Sequence, residues 1–249
     1  MAASAGGSVA LTSTREPRYS MLIFDCTQDA CDFFSKKIKG KNTSIVQPAA
    51  AAQALENESA TDERVDRWQL HAITFGRTNV LAAMKVDTRY AMLFVGLKRN
   101  DVQGFLEQFT RRYIGSLLEL AVNVRQQMPD RADLQRRIDA WDESLKPVHF
   151  FKRGDRSVQT HLNEVLGFAA YDAYEGRGLA VEYDDLVEFD ASVNSMIRTV
   201  RGTDSFIPVQ RELQQACPRF GMDMTEAQID EGYSRLRSMR RGVEIEDED

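Results

Sequence analysis

The chain has 249 residues, of which 43% are hydrophobic and 28% are charged, a balance typical of globular proteins. A net charge of −6 and a pI near 5.3 argue against broad nucleic-acid binding, which needs a basic surface. The longest apolar runs are far shorter than the roughly 20 residues of a membrane-spanning helix, so we expect no membrane segment. Three cysteines, an odd number, argue against a disulfide framework and fit a reducing compartment.

Residues 1–19 are rich in alanine, glycine, serine and threonine, and they lack the basic start and apolar stretch of a secretory signal. We therefore expect a disordered N-terminal arm and a cytoplasmic protein. Residues 20–26 are β-prone and predict a short buried strand, after which a helix begins near Thr27. Residues 39–64 carry weaker signals, and we interpret them as an insertion or linker with a short helix around residues 50–55.

The clearest β signal spans residues 65–95. Residues 65–75, 79–86 and 89–95 are three consecutive predicted strands, separated by short polar breaks. Connections this short join antiparallel neighbours, because a parallel pair needs a long crossover. The sequence thus predicts an antiparallel β-meander, joined by the strand at residues 20–26.

A long amphipathic helix is predicted after Asn100, which can cap its N-terminus while Gln103 occupies the capping-box position. Apolar side chains then recur every three or four residues as far as Val124, which gives a stripe that can pack on the sheet. Gly104 lies inside this helix at a cost of about 1 kcal/mol relative to alanine, and close contact with a strand would explain it.

The rest of the chain is mostly helical by the same criteria. Helices are predicted at 130–141, from Asp155 to 175–178, and at 186–200, 208–217 and 225–242, with one further strand at 148–152. We expect residues 243–249 to form a solvated acidic tail. The predicted fold is therefore a single α+β domain over residues 20–242, mixed in 20–152 and helical in 153–242. Its antiparallel β-meander packs against a long helix.

Motifs for chemistry are weak. The three histidines lie in different predicted elements, and the sequence has neither a GxSxG elbow nor an HExxH helix. Cys26 and Cys31 lack the further ligands that a zinc site requires, so small buried hydrophobic residues explain them better. The acidic residues at 182–188 fit a helix start better than a metal centre. We therefore predict no catalytic residue, no metal and no cofactor.

Several segments resemble a bacterial family known only as a domain of unknown function. They are a Cys-Thr pair after the first strand (Cys26-Thr27), a Trp-x-x-His-Ala strand (68–72), an Arg-Tyr strand (89–90) and an Asp-Arg-Ser-Val helix start (155–158). The resemblance covers residues 21–170 best. It implies that the strands and the following helices form one folding unit, and it implies no activity.

Five polar or amphipathic side chains in the resembling segments are candidate ligand-binding residues: Trp68, His71, Arg89, Arg156 and Asn163. Arg156 would lie just inside a helix N-terminus, where a cation is unfavourable unless an acidic side chain or a bound anion neutralises it. The neighbouring Asp155 is the structural explanation. The functional explanation is a small anionic ligand held between Arg89 or Arg156 and His71.

The sequence favours a non-enzymatic binding or regulatory protein that acts through protein–protein contacts, because no catalytic set is recognisable and the surface is acidic. The alternative is an enzyme or a small anionic-ligand binder that uses a polar cluster around His71. A nucleic-acid-associated protein is a weaker alternative. The expected partner is a protein, and the sequence does not predict the oligomeric state.

Overall fold

A computed structural model describes residues 21–38, 41–58, 65–176 and 178–246. The predicted arm at 1–19 and the end of the acidic tail lie outside these residues. The strands are β1 (Met21–Cys26), β2 (Ser35–Ile38), β3 (Lys41–Ser44), β4 (Gln47–Pro48), β5 (Val65–Phe75), β6 (Thr78–Lys85), β7 (Ala91–Val95) and β8 (Val148–Lys152). The helices are α1 (Gln28–Phe33), α2 (Ala49–Glu58), α3 (Val102–Arg125), α4 (Arg131–Ser144), α5 (Arg156–Tyr174), α6 (Tyr183–Asn194), α7 (Pro208–Ala216) and α8 (Glu226–Glu246).

Six of the strands form one mixed sheet in the order β4-β8-β1-β5-β6-β7. The three strands predicted between residues 65 and 95 pair antiparallel in chain order. However, β1 pairs parallel with both β5 and β8, and β4 pairs parallel with β8. The α+β class is therefore confirmed, whereas an antiparallel meander does not describe the sheet as a whole. The remaining two strands, β2 and β3, pair antiparallel with each other, and of these only β3 lies within the segment 39–64 interpreted as a linker.

Alternating side chains of the sheet bury two separate hydrophobic layers. On the first face, Phe24, Trp68 and Phe94 pack with α1, α3, α4, α7 and α8. On the second face, Ala82 and Leu93 pack with α5 and α6. Helix α2 covers β1 and β8 on that same second face. The sheet is thus a central layer covered by helices on both sides.

The long helix α3 carries the predicted apolar stripe onto the first face. Its inward side chains include Phe105, Phe109, Tyr113 and Leu117, all fully buried. Asp101, and not Asn100, is its N-cap, because the Asp101 carboxylate accepts a hydrogen bond from the amide of Gly104 at 2.9 Å. This carboxylate, and not a strand, also explains Gly104, since a Cβ there would lie 2.5 Å from Asp101 Oδ2.

Two predicted helix ends differ from the structure. Helix α6 ends at Asn194 and not at residue 200, and Arg198 then pairs with Phe206 as an isolated β-bridge. The apolar spacing continues past Asn194, but Ile197 is 69% exposed and does not extend the packed face. Helix α8 continues through Gly242 to Glu246, so it takes in the start of the predicted acidic tail. Within the described ranges, every helix is too short or too polar to cross a lipid bilayer.

Candidate functional site

The structure distributes the five predicted ligand-binding residues among separate places. Trp68 lies on the first face of the sheet, fully buried and edge-to-face with Phe109 and Tyr113. His71 is on the second face, because side chains alternate along β5. Arg156 and Asn163 are exposed on α5, where Asn163 accepts a hydrogen bond from Gln159. The described side chains therefore do not gather around His71, and a ligand-binding role for these five stays a prediction.

His71 does meet a second residue of the resembling segments. Its Nδ1 lies 2.9 Å from the hydroxyl of Thr27, which also caps α1 by accepting from the amide of Ala30. The Asp29 carboxylate is 3.7 Å from the same nitrogen. Burial lowers the pKa of His71, and Asp29 partly offsets this effect. The contact fixes the turn that follows β1 against β5.

Arg89 is turned toward the start of α5 by an unusual backbone. Its φ is +60°, a left-handed conformation that is uncommon for a residue other than glycine. The guanidinium donates to the carbonyl of Val86 and to the hydroxyl of Ser157. One turn further along α5 is His161, whose pKa is lowered by burial and by both Arg198 and Arg89. We call Arg89, His161 and Arg198 the Arg89 cluster.

A second buried set of charges lies on the first face, where Lys85 is 2% exposed and Glu212 is fully buried. The Lys85 ammonium donates to Glu212 at 2.9 Å, to Gln215 at 2.9 Å and to Tyr113 at 3.3 Å, and it pairs with Asp66 at 3.3 Å. Burial acts to lower the pKa of Lys85, but Glu212 and Asp66 raise it above its ordinary value.

Arg219 completes this set by binding Asp66 through two nitrogens, at 3.0 and 3.3 Å. Burial acts to raise the pKa of Asp66, but Lys85 and Arg219 lower it. The set, which we call the Lys85 network, thus balances two cations, Lys85 and Arg219, against two carboxylates, Asp66 and Glu212. Its closed hydrogen bonding is typical of a structural network.

Side chains of α3 and α6 cover the free edge of β7. Asn194 forms two hydrogen bonds of 2.7 Å with the amide and carbonyl of Ala91. Asp190 accepts from the amide of Leu93 at 2.8 Å, and Arg112 donates to the carbonyl of Leu93 at 2.6 Å. Arg112 also binds the second oxygen of Asp190. Backbone groups that a sheet edge leaves open are therefore satisfied by helix side chains.

Next to this edge is a cavity of about 480 Å³ between α3, α6, α7 and α8, which we call the edge cavity. Its volume lies within the range of small-molecule sites, about 300–1,000 Å³. Leu120, Val187, Val209, Leu236 and Met239 give it apolar walls, and its polar lining includes Ser116, Asn123, Ser192, Ser195 and Arg237. Asp190 and Asn194 also line it, and burial raises the pKa of Asp190 to about 7 although Arg112 acts to lower it.

A family model described as Domain of unknown function (DUF6933) matches residues 23–211. The chain belongs to this family. The DUF6933 match begins in β1 and ends inside α7, so Glu212 of the Lys85 network and the α8 wall of the edge cavity lie beyond it. Searches of curated proteins and of solved structures found no significant match.

Sequence reasoning missed several residues that the DUF6933 fold brings together. Lys85 ends an apolar strand, and Asp190 lies within the apolar spacing of Leu186, Phe189 and Val193. A charged residue inside an apolar pattern was the available signal, because such a residue needs a partner when it is buried. His161 and Arg198 approach Arg89 only through the tertiary fold, and no comparable pattern marks them in the sequence.

Proposed function

We propose that this protein is a binding protein that holds a small organic ligand, part apolar and part polar, in the edge cavity. The observation that carries the proposal is the lining of that cavity, where aliphatic walls face hydroxyl and amide groups above Asp190 and Asn194. Mixed linings of this kind bury the apolar body of a ligand while a few polar groups fix its orientation.

Electrostatics at the cavity floor supports the same function. Asp190 has both oxygens engaged, one with Leu93 and one with Arg112, and it is 4% exposed. Its pKa of about 7 means that a small change in environment alters its charge near neutral pH. A ligand that enters the cavity therefore meets a group whose ionisation it can change.

Binding of 1-anilinonaphthalene-8-sulfonate, an apolar fluorescent probe with one sulfonate, tests this proposal. Ala191 lines the cavity, so Ala191→Trp fills part of it. We expect saturable fluorescence enhancement with the natural chain and a binding constant at least tenfold weaker with Ala191→Trp. The matched control is Ala132→Trp on the exposed side of α4. Equal probe binding by all three proteins, each shown to be folded, would rule out the edge cavity as the site.

A second candidate function is recognition of a partner protein through α5. Three aromatic side chains follow one another at spacings of three residues and stay exposed: Phe168 at 39%, Tyr171 at 57% and Tyr174 at 89%. Exposed aromatic groups grouped on one helix are typical of protein interfaces. This observation favours the protein–protein contacts that the sequence suggested.

Site-specific photo-crosslinking in cells separates the two candidates. A photoreactive phenylalanine analogue at position 171 is expected to give one dominant crosslinked product, whereas the same analogue at Ile197, which is also exposed, gives none. Identical crosslinking patterns from the two positions would contradict a specific interface on α5.

A further inference from the structure

The Arg89 cluster contains three basic side chains that are more than nine-tenths buried. Arg89 is 6% exposed, His161 is 8% exposed and Arg198 is 4% exposed. They come from three different parts of the chain: the turn between β6 and β7, the first half of α5, and the segment after α6. Arg89 contacts Ser157 and Arg198 contacts Glu164, and these two residues lie on α5 about one turn before and one turn after His161. The fold therefore concentrates positive charge at one buried place.

Several nitrogens of this cluster have no hydrogen-bond partner among the residues that the structure describes. They are Nε of Arg89, Nδ1 of His161, and Nε and Nη2 of Arg198. An unanswered buried donor costs about 1–3 kcal/mol, and more when the group is charged. Three of these atoms, all on arginine, carry N–H groups, and leaving them unpaired argues against a purely structural role for the cluster.

The carboxylates near the cluster are few and already engaged. Glu164 binds one nitrogen of Arg198, but its own side chain is 47% exposed. Asp155 accepts from the amides of Ser157 and Val158 as the N-cap of α5. Asp87 accepts from Gln215 and from the amide of Thr88. The Lys85 network, by contrast, balances two cations with two carboxylates.

We propose that Arg89, His161 and Arg198 form a buried binding site for a small tetrahedral oxyanion such as inorganic phosphate. Arginine presents several donors to such an anion at once, and the imidazole of His161 adds another when the bound anion raises its pKa. The anion would supply acceptors to the unpaired arginine nitrogens and offset the mutual repulsion of the two arginine cations. This site is separate from the edge cavity, and its test is independent of the proposed function.

Calorimetric titration with inorganic phosphate, with sulfate and with chloride at equal ionic strength tests the site. We expect saturable binding of phosphate and of sulfate, because both are tetrahedral oxyanions, and no saturable response to chloride. Arg198→Gln removes a charged group with two unanswered nitrogens, so we expect binding at least tenfold weaker. The control is Arg201→Gln, which removes an exposed arginine three residues after Arg198 and should bind phosphate like the natural chain.

A second measurement needs no variant, which matters if Arg198→Gln fails to fold. The chain has only three histidines, so their ring signals can be followed separately by nuclear magnetic resonance during a pH titration. Phosphate is expected to raise the pKa of His161 because it brings negative charge beside the ring, and to leave His71 and His149 unchanged. The proposal is overturned if phosphate gives no saturable heat and no change at His161, or if Arg198→Gln and Arg201→Gln bind it equally.

Discussion

Lys85 shares its ammonium group among two carboxylates, a tyrosine hydroxyl and an amide oxygen, all inside the protein. We expect Lys85→Met to lower the free energy of unfolding by about 3–5 kcal/mol, because it leaves Asp66 and Glu212 with one cation fewer in a buried environment. Chemical denaturation measures the change.

The matched control is Lys146→Met, which removes a lysine that pairs with Asp142 and Glu143 at the surface. Such exposed pairs contribute little, so the control should stay within about 0.5 kcal/mol of the natural chain. If the two methionine variants are equally stable, the Lys85 network is not a stabilising arrangement.

The raised pKa of Asp190 predicts how its contribution to the free energy of unfolding changes with pH. The sign is opposite to that of an aspartate whose pKa is lowered by a salt bridge. Its pKa is raised from 3.8 to about 7 in the folded protein, so between these values the folded state binds a proton that the unfolded state has lost. Its contribution to stability is therefore fully present below pH 3.8 and is lost as the pH rises through about 7.

Asp190→Asn removes this titration. Between pH 5 and pH 6.5, the free energy of unfolding of the variant should rise more with pH, or fall less, than that of the natural chain, by up to about 1.4 kcal/mol per pH unit. Denaturation curves at several pH values give the two slopes. Asp139→Asn, on the exposed side of α4, is the control, and parallel slopes for the natural chain and Asp190→Asn would contradict the raised pKa.

At the scale of elements, Gly104 shows that the N-cap of a helix can require a glycine in the first turn, although glycine normally destabilises a helix. Alanine normally stabilises a helix by about 1 kcal/mol over glycine. At position 104, however, a Cβ would lie 2.5 Å from the Asp101 carboxylate that caps α3. We expect Gly104→Ala to destabilise the protein by about 0.5–2 kcal/mol, the usual value of a lost N-cap.

Gly167 is the matched control, since it lies inside α5 and a Cβ there would have no neighbour within 4 Å. Gly167→Ala should therefore raise the thermal midpoint while Gly104→Ala lowers it. A shift of the same sign in both variants would show that helix propensity, and not the cap, decides the effect at position 104.

Local patterns in the sequence predict most elements but not their ends or their partners. The strand at 148–152 and the start of α5 at Asp155 follow from local signals, and the structure has both. The sequence predicts Asn100 as the N-cap of α3, whereas the structure has the neighbouring Asp101. Two adjacent side chains can each cap a helix, and the tertiary fold selects one of them. The early end of α6 has a similar cause, since Ile197 continues the apolar spacing but finds nothing to pack against.

At the scale of the whole molecule, the parallel half of the sheet was beyond local reasoning. Strand β8 lies between β4 and β1, although it begins at residue 148, long after β1 ends at residue 26 and β4 ends at residue 48. A short apolar segment such as VHFFK predicts a strand and carries no information on its neighbours. The same limit applies to the candidate sites, because His161 and Arg198 meet Arg89, and Asp190 meets the edge of β7, only when distant elements pack together.

The folding unit extends beyond the segment that matches the DUF6933 family. That match ends at residue 211, inside α7, whereas Glu212, Phe220, Met222 and Ile229 are all fully buried in the first face. A chain that ends at residue 211 would leave Lys85 without Glu212 and would expose the side of α3 that α8 covers. We therefore expect residues 21–211 to lack a cooperative unfolding transition.

Residues 21–246 should fold cooperatively, and residues 21–224 should be intermediate, because that chain keeps Glu212 but lacks α8. Denaturation followed by circular dichroism, together with the dispersion of amide resonances, compares the three chains. The substitution Gly232→Ala tests the α3–α8 contact independently, since the added Cβ would lie 2.7 Å from the carbonyl oxygen of Val124. If residues 21–211 unfold as cooperatively as residues 21–246, then α8 is not part of the cooperative folding unit, although it forms one wall of the edge cavity.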